Sequence, residues 1–159
     1  MRPLKKMIVI SLLAAILSIS AYLSIPLSVS NVSFTLQSLM VMIIALSMPI
    51  SISFYAVGLY LLLGLIGLPV FSNGIAGLPV LLGPTGGYLF GYLFASFLGG
   101  IIIVYTCGIL GLMFVLDISF KQALVIGVYP FLAFDLIKVF IASVFVYNSR
   151  SIFKRILNK

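Results

Sequence analysis

Asp135 and Lys138 stand three residues apart in PFLAFDLIKVF (130–140), a run that is otherwise apolar. From Met7 to Leu116 the chain carries no Asp, Glu, Lys, Arg or His. Residues three apart on a helix share a face, so this carboxylate and this ammonium can reach one ligand or each other. A charge at the middle of a membrane helix costs about 3 kcal/mol on insertion scales and normally faces a bundle interior or a wet cavity. The competing role is an ion pair that only locks helices together. Desolvation of such a pair can exceed its Coulomb gain, so a ligand is the better reason for keeping it. Asp117 and Lys121, in DISFKQ (117–122), are expected in a solvated turn instead.

A ligand site needs further polar groups. The candidates are Asn73 in FSNG, Thr85 in GPTGG, Tyr88 and Tyr92 one turn apart, and Gln37 in TLQSL. For the two tyrosines the alternative is an interfacial aromatic belt, and for Gln37 a bond to a neighbouring helix. GPTGG lacks the GK[ST] ending of a phosphate-binding loop, so any ATP-driven step belongs to another protein. With no His, a lone Cys107 and two carboxylates, the chain has no zinc set, no Ser-His-Asp triad and no paired-carboxylate hydrolase site. It is not expected to be an enzyme or to need a cofactor.

These residues must be held by membrane helices. Hydrophobic residues make up 64% and charged residues 7% of the chain, and the mean hydropathy is +1.38. That is too little charge to cover a water-facing surface. The net charge of +7 sits mainly at the two ends: Arg2, Lys5 and Lys6 before the first apolar run, and Arg150, Lys154, Arg155 and Lys159 after the last. This is the positive-inside pattern twice, not a nucleic-acid surface, and it predicts two cytoplasmic termini and an even number of spans. The tail NSRSIFKRILNK can also lie on anionic membrane lipid as a basic helix. The start, MIVISLLAAILSIS, is expected to be a retained first span and not a cleaved signal.

Apolar runs predict segments over Met7–Ile25, Leu36–Met48, Ile50–Leu68 and Ala123–Tyr147, with Pro26 and Pro49 as breaks. The segment 67–87 concentrates glycine and proline, too apolar for a free loop and too broken for a helix. Such backbone is expected to line a cavity. The 31 residues Gly86–Leu116 are too many for one span and too few for two full ones, with Gly99-Gly100 the obvious break. The fold class is therefore all-α, a polytopic membrane bundle of six helices in which the fourth and fifth are unusually short or fused. Ala14 and Ser18, four apart on the first helix, form a small-residue surface that lets another helix approach closely.

Four stretches, TLQSLMVMIIAL, YLLLGLIGLPVF, LLGPTGGYLFGYL and PFLAFDLIK, resemble in order the signature stretches of the BioY family. These are the biotin-specific substrate-binding (S) components of energy-coupling factor (ECF) transporters. The resemblance implies a single membrane-embedded substrate-binding domain over 1–159. It implies a cavity open to the outside and docking on a transmembrane coupling protein that carries two ATPase subunits. It places Asp135 and Lys138 in the biotin pocket with Asn73 and the region Gly83–Tyr88, including Gly83, Thr85, Gly86 and Tyr88. It assigns Ala14 and Ser18 to the coupling protein, with serine where the family has alanine. The family pattern is longer between GYLFASFLGG and VYTCGIL than this chain is.

The residues suit biotin. Lys138 can meet its carboxylate or ureido carbonyl, Asp135 can accept from ureido N–H groups, and Asn73 can do either. Phe71, Leu78, Leu81 and Phe134 are the apolar wall expected around the aliphatic tail. The rival readings are a solitary proton-coupled carrier with Asp135 as proton site, and a non-transporting scaffold held by the Asp135–Lys138 pair.

Overall fold

The computed structural model describes residues 2–26, 30, 32–98 and 100–158. Lys159 of the basic tail, Gly99 of the Gly-Gly break, and residues 27–29 and 31 of the first connection lie outside the described residues. The elements in order are α1 (Pro3–Tyr22), β1 (Ser24–Ile25), β2 (Phe34–Thr35), α2 (Gln37–Ser47), α3 (Ile50–Leu65), a 3₁₀ turn (Ser72–Gly74), α4 (Leu78–Leu82), α5 (Gly86–Leu98), α6 (Ile101–Leu116), α7 (Phe120–Gly127) and α8 (Tyr129–Asn158). Among the described residues the fold is all-α apart from one two-residue ribbon.

That ribbon is the first departure from expectation. The connection after Pro26 closes as an antiparallel pair, Ser24 opposite Thr35 and Ile25 opposite Phe34. Two residues per strand leave no alternation to read in the sequence. The ribbon delivers Thr35 directly into α2, which packs along α8 and α5.

Proline and glycine set the remaining breaks. Pro49 is extended (ψ 144°) and separates α2 from α3, and Ser53 Oγ donates to Ile44 O at 3.1 Å across the corner. Segment 67–85 folds back against α1 and α3: Gly77 N donates to Gly64 O at 2.7 Å, and Tyr22 Oη donates to Pro69 O. Gly64 gives Phe71 its place, since a Cβ there would overlap the Phe71 ring.

Residues Gly86–Leu116 form two antiparallel helices and are not fused. Gly100, at φ +100°, makes the turn that other residues reach only at a cost. Gly87 and Gly91 of α5 lie directly on the backbone of α6 at Cys107 and Val104, so the two short helices pack at very close range. The expected single span over 123–147 is instead two helices broken at Val128. Pro130 is the reason: it supplies no N–H, and its ring would clash with the carbonyl four residues back. A Ser119–Gln122 capping box starts α7, and α6 and α7 are bent by 117°. α8 then runs 30 residues to Asn158, through the tail, which holds no glycine or proline.

α1 and α8 are each long and apolar enough to cross a membrane alone, whereas α2 and α3 are shorter apolar helices. The core is largely apolar, but the surface is apolar as well and a few polar side chains are buried. Phe114 is 92% exposed, Ile102 78% and Tyr147 78%, while Gln37, Ser38, Asp135 and Lys138 are buried. Apolar side chains outside and polar ones inside are what a bilayer selects.

Candidate functional site

α8 carries Asp135 and Lys138 on the face that packs against α2, as their spacing requires. Lys138 Nζ lies 2.7 Å from Asp135 Oδ1, and both side chains are buried. The ammonium also donates to Thr35 O at 2.8 Å and to Ser38 Oγ at 2.9 Å, so all three of its protons are directed. It stands 4.0 Å from the centroid of the Phe34 ring, a cation–π contact. Asp135 Oδ2 accepts from Tyr105 Oη of α6 at 2.6 Å. One charge pair thus ties β2, α2, α6 and α8 together.

Two adjoining cavities meet here. The outer one, about 130 Å³, is lined by Gln37, Phe71, Ser72, Asn73, Thr85 and Leu89 among others. The inner one, about 30 Å³, is lined by Ser38, Tyr105, Phe131, Asp135 and Lys138. They share Val32, Ser33, Thr35, Tyr88 and Tyr92 as a common wall. The two are therefore one site, divided by the ribbon and by two tyrosines of α5. Small-molecule pockets usually enclose about 300–1,000 Å³, so a ligand of ordinary size must push part of this dividing wall aside.

The structure brings Asn73, Thr85, Tyr88, Gln37, Asp135 and Lys138 to this site. Asn73 sits in the left-handed region (φ 59°), which asparagine tolerates. Its amide donates to Ser33 Oγ at 3.1 Å and its carbonyl accepts from Ser24 Oγ at 2.8 Å, which pins the loop to the ribbon. Gln37 both lines the cavity and donates to Tyr60 Oη on α3 at 2.8 Å. Tyr88 and Tyr92 are buried, which overturns the aromatic-belt alternative. Tyr88 Oη donates to Gly127 O at 2.8 Å, and Gly108 leaves room for its ring.

Several expected residues lie elsewhere. Gly83 and Gly86 do not line either cavity. They make the tight passage from α4 to α5, where a Cβ on Gly86 would strike the Leu81 carbonyl. Of the expected apolar wall only Phe71 lines the cavity; Leu78 and Phe134 are exposed, and Phe134 packs edge-on against Phe34. Ala14 is 1% exposed, on the α1 face that also buries Leu17 and Ala21 and packs inside the bundle. Ser18 is partly buried and bonds back to Ala14 O. The small residues that α1 presents outward are Ser11 and Ala15. Residues unforeseen as site members are Thr35, Ser38, Ser72 and Tyr105. Ser72 Oγ is the buried side-chain oxygen left without a hydrogen-bond partner among the described residues.

Comparison with known proteins gives the family and the fold. A family model described as "BioY family" matches residues 1–103 and 95–155. The biotin transporter BioY of Thermotoga maritima is 35% identical, over 88% of this chain and 92% of its own length. The chain belongs to the BioY family. BioY2 of Lactococcus lactis subsp. cremoris, a biotin transporter, is 34% identical over 86% of this BioY chain and 85% of its own length. A crystal structure of an S-component for biotin from an ECF-type ABC transporter superposes with a TM-score of 0.86 at 27% identity, covering 95% of both chains. The two stretches of the BioY family match overlap over residues 95–103, across the α5–α6 turn.

Proposed function

We propose that this chain is the biotin-binding S component of an ECF-type transporter and serves biotin uptake, not catalysis. The observation that carries the reading is the buried Asp135–Lys138 pair at the floor of a cavity whose outer wall is Gln37, Asn73, Thr85 and Tyr88. Biotin supplies what such a floor lacks: an acceptor for a redirected Lys138 proton and ureido N–H donors for Asp135. Phe71, Val80 and Leu89 supply apolar wall for its rings and tail. Binding of this kind exchanges the present Lys138 contacts with Thr35 and Ser38 for contacts with the ligand.

The partner set follows from what the chain lacks. It has no nucleotide-binding motif, so ATP-driven accumulation of biotin requires a transmembrane coupling protein and two ATPase subunits. We place the six longer helices, α1, α2, α3, α5, α6 and α8, as the spans, with both termini cytoplasmic. The docking face for the coupling protein is the outward side of α1, where Ser11 and Ala15 allow close approach.

The test is saturable binding of labelled biotin to the purified chain in detergent, with unlabelled biotin as competitor. Saturable, competed binding without ATPase partners is the expected result. A folded, monodisperse preparation that bound none would overturn the assignment.

A further inference from the structure

A second cavity, about 420 Å³, opens at the other end of the molecule from the α6–α7 corner, between the end of α2 and the last turns of α8. Its cationic side is Arg150 and Lys154, four residues apart on α8, and its apolar side is Leu46, Val146 and Phe153. Tyr147 completes the rim. Two serine hydroxyls also border it, but Ser47 donates to Ile43 O and Ser143 to Val139 O, so the donors left facing it are the guanidinium, the ammonium and the Tyr147 hydroxyl. The volume falls within the range of small-molecule sites.

Three facts say what belongs there. First, the chain has two carboxylate side chains, Asp117 and Asp135, against nine Lys and Arg. Asp135 is engaged by Lys138, and Asp117 caps the C-terminus of α6, ahead of α7. Among the described residues, neither side-chain carboxylate pairs with Arg150 or Lys154. Second, α8 is 30 residues long, about 45 Å, whereas the hydrocarbon core is about 30 Å thick. With Tyr129 near one boundary, Arg150 falls at the opposite headgroup level, beside an interfacial tyrosine. Third, the groove continues from Lys154 along the same α8 face to Val146, into the depth of the acyl chains.

We infer that this groove binds one anionic phospholipid, its phosphate held by Arg150 and Lys154 and an acyl chain laid along Leu46 and Val146. An anion with no chain would leave the apolar half uncovered, and a neutral lipid would leave the two cations without a counter-charge. The site is separate from the biotin cavity and shares no residue with it.

The test is native mass spectrometry of the full chain released from detergent with added phosphatidylglycerol or phosphatidylcholine. The wild type should keep one phosphatidylglycerol in preference to phosphatidylcholine. Arg150→Gln/Lys154→Gln should hold it about 30-fold more weakly, the product of two basic contacts near an anionic surface. Val146→Trp, which fills the groove and keeps the charge, should also lose it. Lys121→Gln/Arg155→Gln, with the same net charge as the first double variant, should not. Equal loss in that control would reduce the effect to diffuse attraction and overturn the site. So would equal retention of phosphatidylcholine, or displacement by inorganic phosphate as readily as by the lipid. If the Arg150/Lys154 variant keeps phosphatidylglycerol but fails to assemble with an added coupling complex, the groove belongs to a protein and the inference is wrong.

Discussion

Tyr105 of α6 donates a 2.6 Å hydrogen bond to Asp135 of α8, on the carboxylate oxygen that Lys138 leaves free. The carboxylate is thereby held from two sides, and its orientation toward the cavity is set by a residue of another helix. Tyr105→Phe removes that hold and changes nothing else in shape. A hydrogen bond to a charged group is worth about 1.5–3 kcal/mol. Biotin affinity should fall about 10- to 100-fold, with the purified variant still monodisperse by gel filtration. Unchanged affinity would show that Tyr105 serves packing alone.

The charge pair separates a ligand role from a structural one. Asp135→Asn or Lys138→Met leaves the partner charge buried and unpaired, which typically costs 3–5 kcal/mol. Each single variant should lose tight biotin binding and melt earlier. Asp135→Leu/Lys138→Leu should regain thermal stability, because apolar replacement of a buried pair is often neutral or stabilising, yet still bind no biotin. Wild-type binding by the double variant would leave the scaffold reading standing.

The α5–α6 contact makes a prediction about folding. A Cβ on Gly87 would meet the backbone carbonyl of Cys107 and lie 3.0 Å from Gly111 Cα, atoms that cannot rotate away. Gly87→Val should therefore force the helices apart and cost about 1–3 kcal/mol or more by overpacking. The measurement is the melting temperature in detergent, with Gly58→Ala as the control. Gly58 has only a Leu93 side-chain atom within reach, at 3.9 Å.

On α1 the two small pairs should behave oppositely. Ala15→Trp, on the outward face, should block co-purification with a coupling complex and leave biotin binding intact. Ala14→Trp, inside the bundle, should destabilise the chain itself. Full assembly of Ala15→Trp would remove α1 from the docking face.

Topology is open to a direct check. Reporter fusions at the end of α8 and ahead of α1 should both score as cytoplasmic. An extracellular score at the α8 end alone would mean an odd number of crossings.

The parts of this site that could be read in the sequence are those that are expensive to place in a bilayer. Asp135, Lys138, Gln37 and Asn73 stand out because a charge or an amide in an apolar chain needs a reason. Tyr105 and Ser38 cost little at any depth, so nothing marked them as partners of that pair. The division of Gly86–Leu116 into two helices was legible at Gly99-Gly100. The close packing that lets both be short was not, because it depends on which glycines face which backbone. That Ala14 faces inward was hidden for a related reason. α1 is apolar all round, so Ala14/Ser18 and Ser11/Ala15 are equivalent until α3 decides which side is inside. The break at Val128 was legible in principle from Pro130, but the unbroken apolar run around it carried more weight.

The short α5–α6 pair has a consequence for the surrounding lipid. α5 has 13 residues and α6 has 16, about 20 Å and 24 Å of helix, whereas α1, which packs on α2 and α3, has 20, about 30 Å. A bilayer whose hydrocarbon is about 30 Å thick cannot match both flanks at once. It must dip toward α5 and α6, at a fraction of a kcal/mol for each ångström of mismatch. The protein therefore sits in a lopsided depression of its own making, and its affinity for thin regions of membrane is written into a handful of glycines.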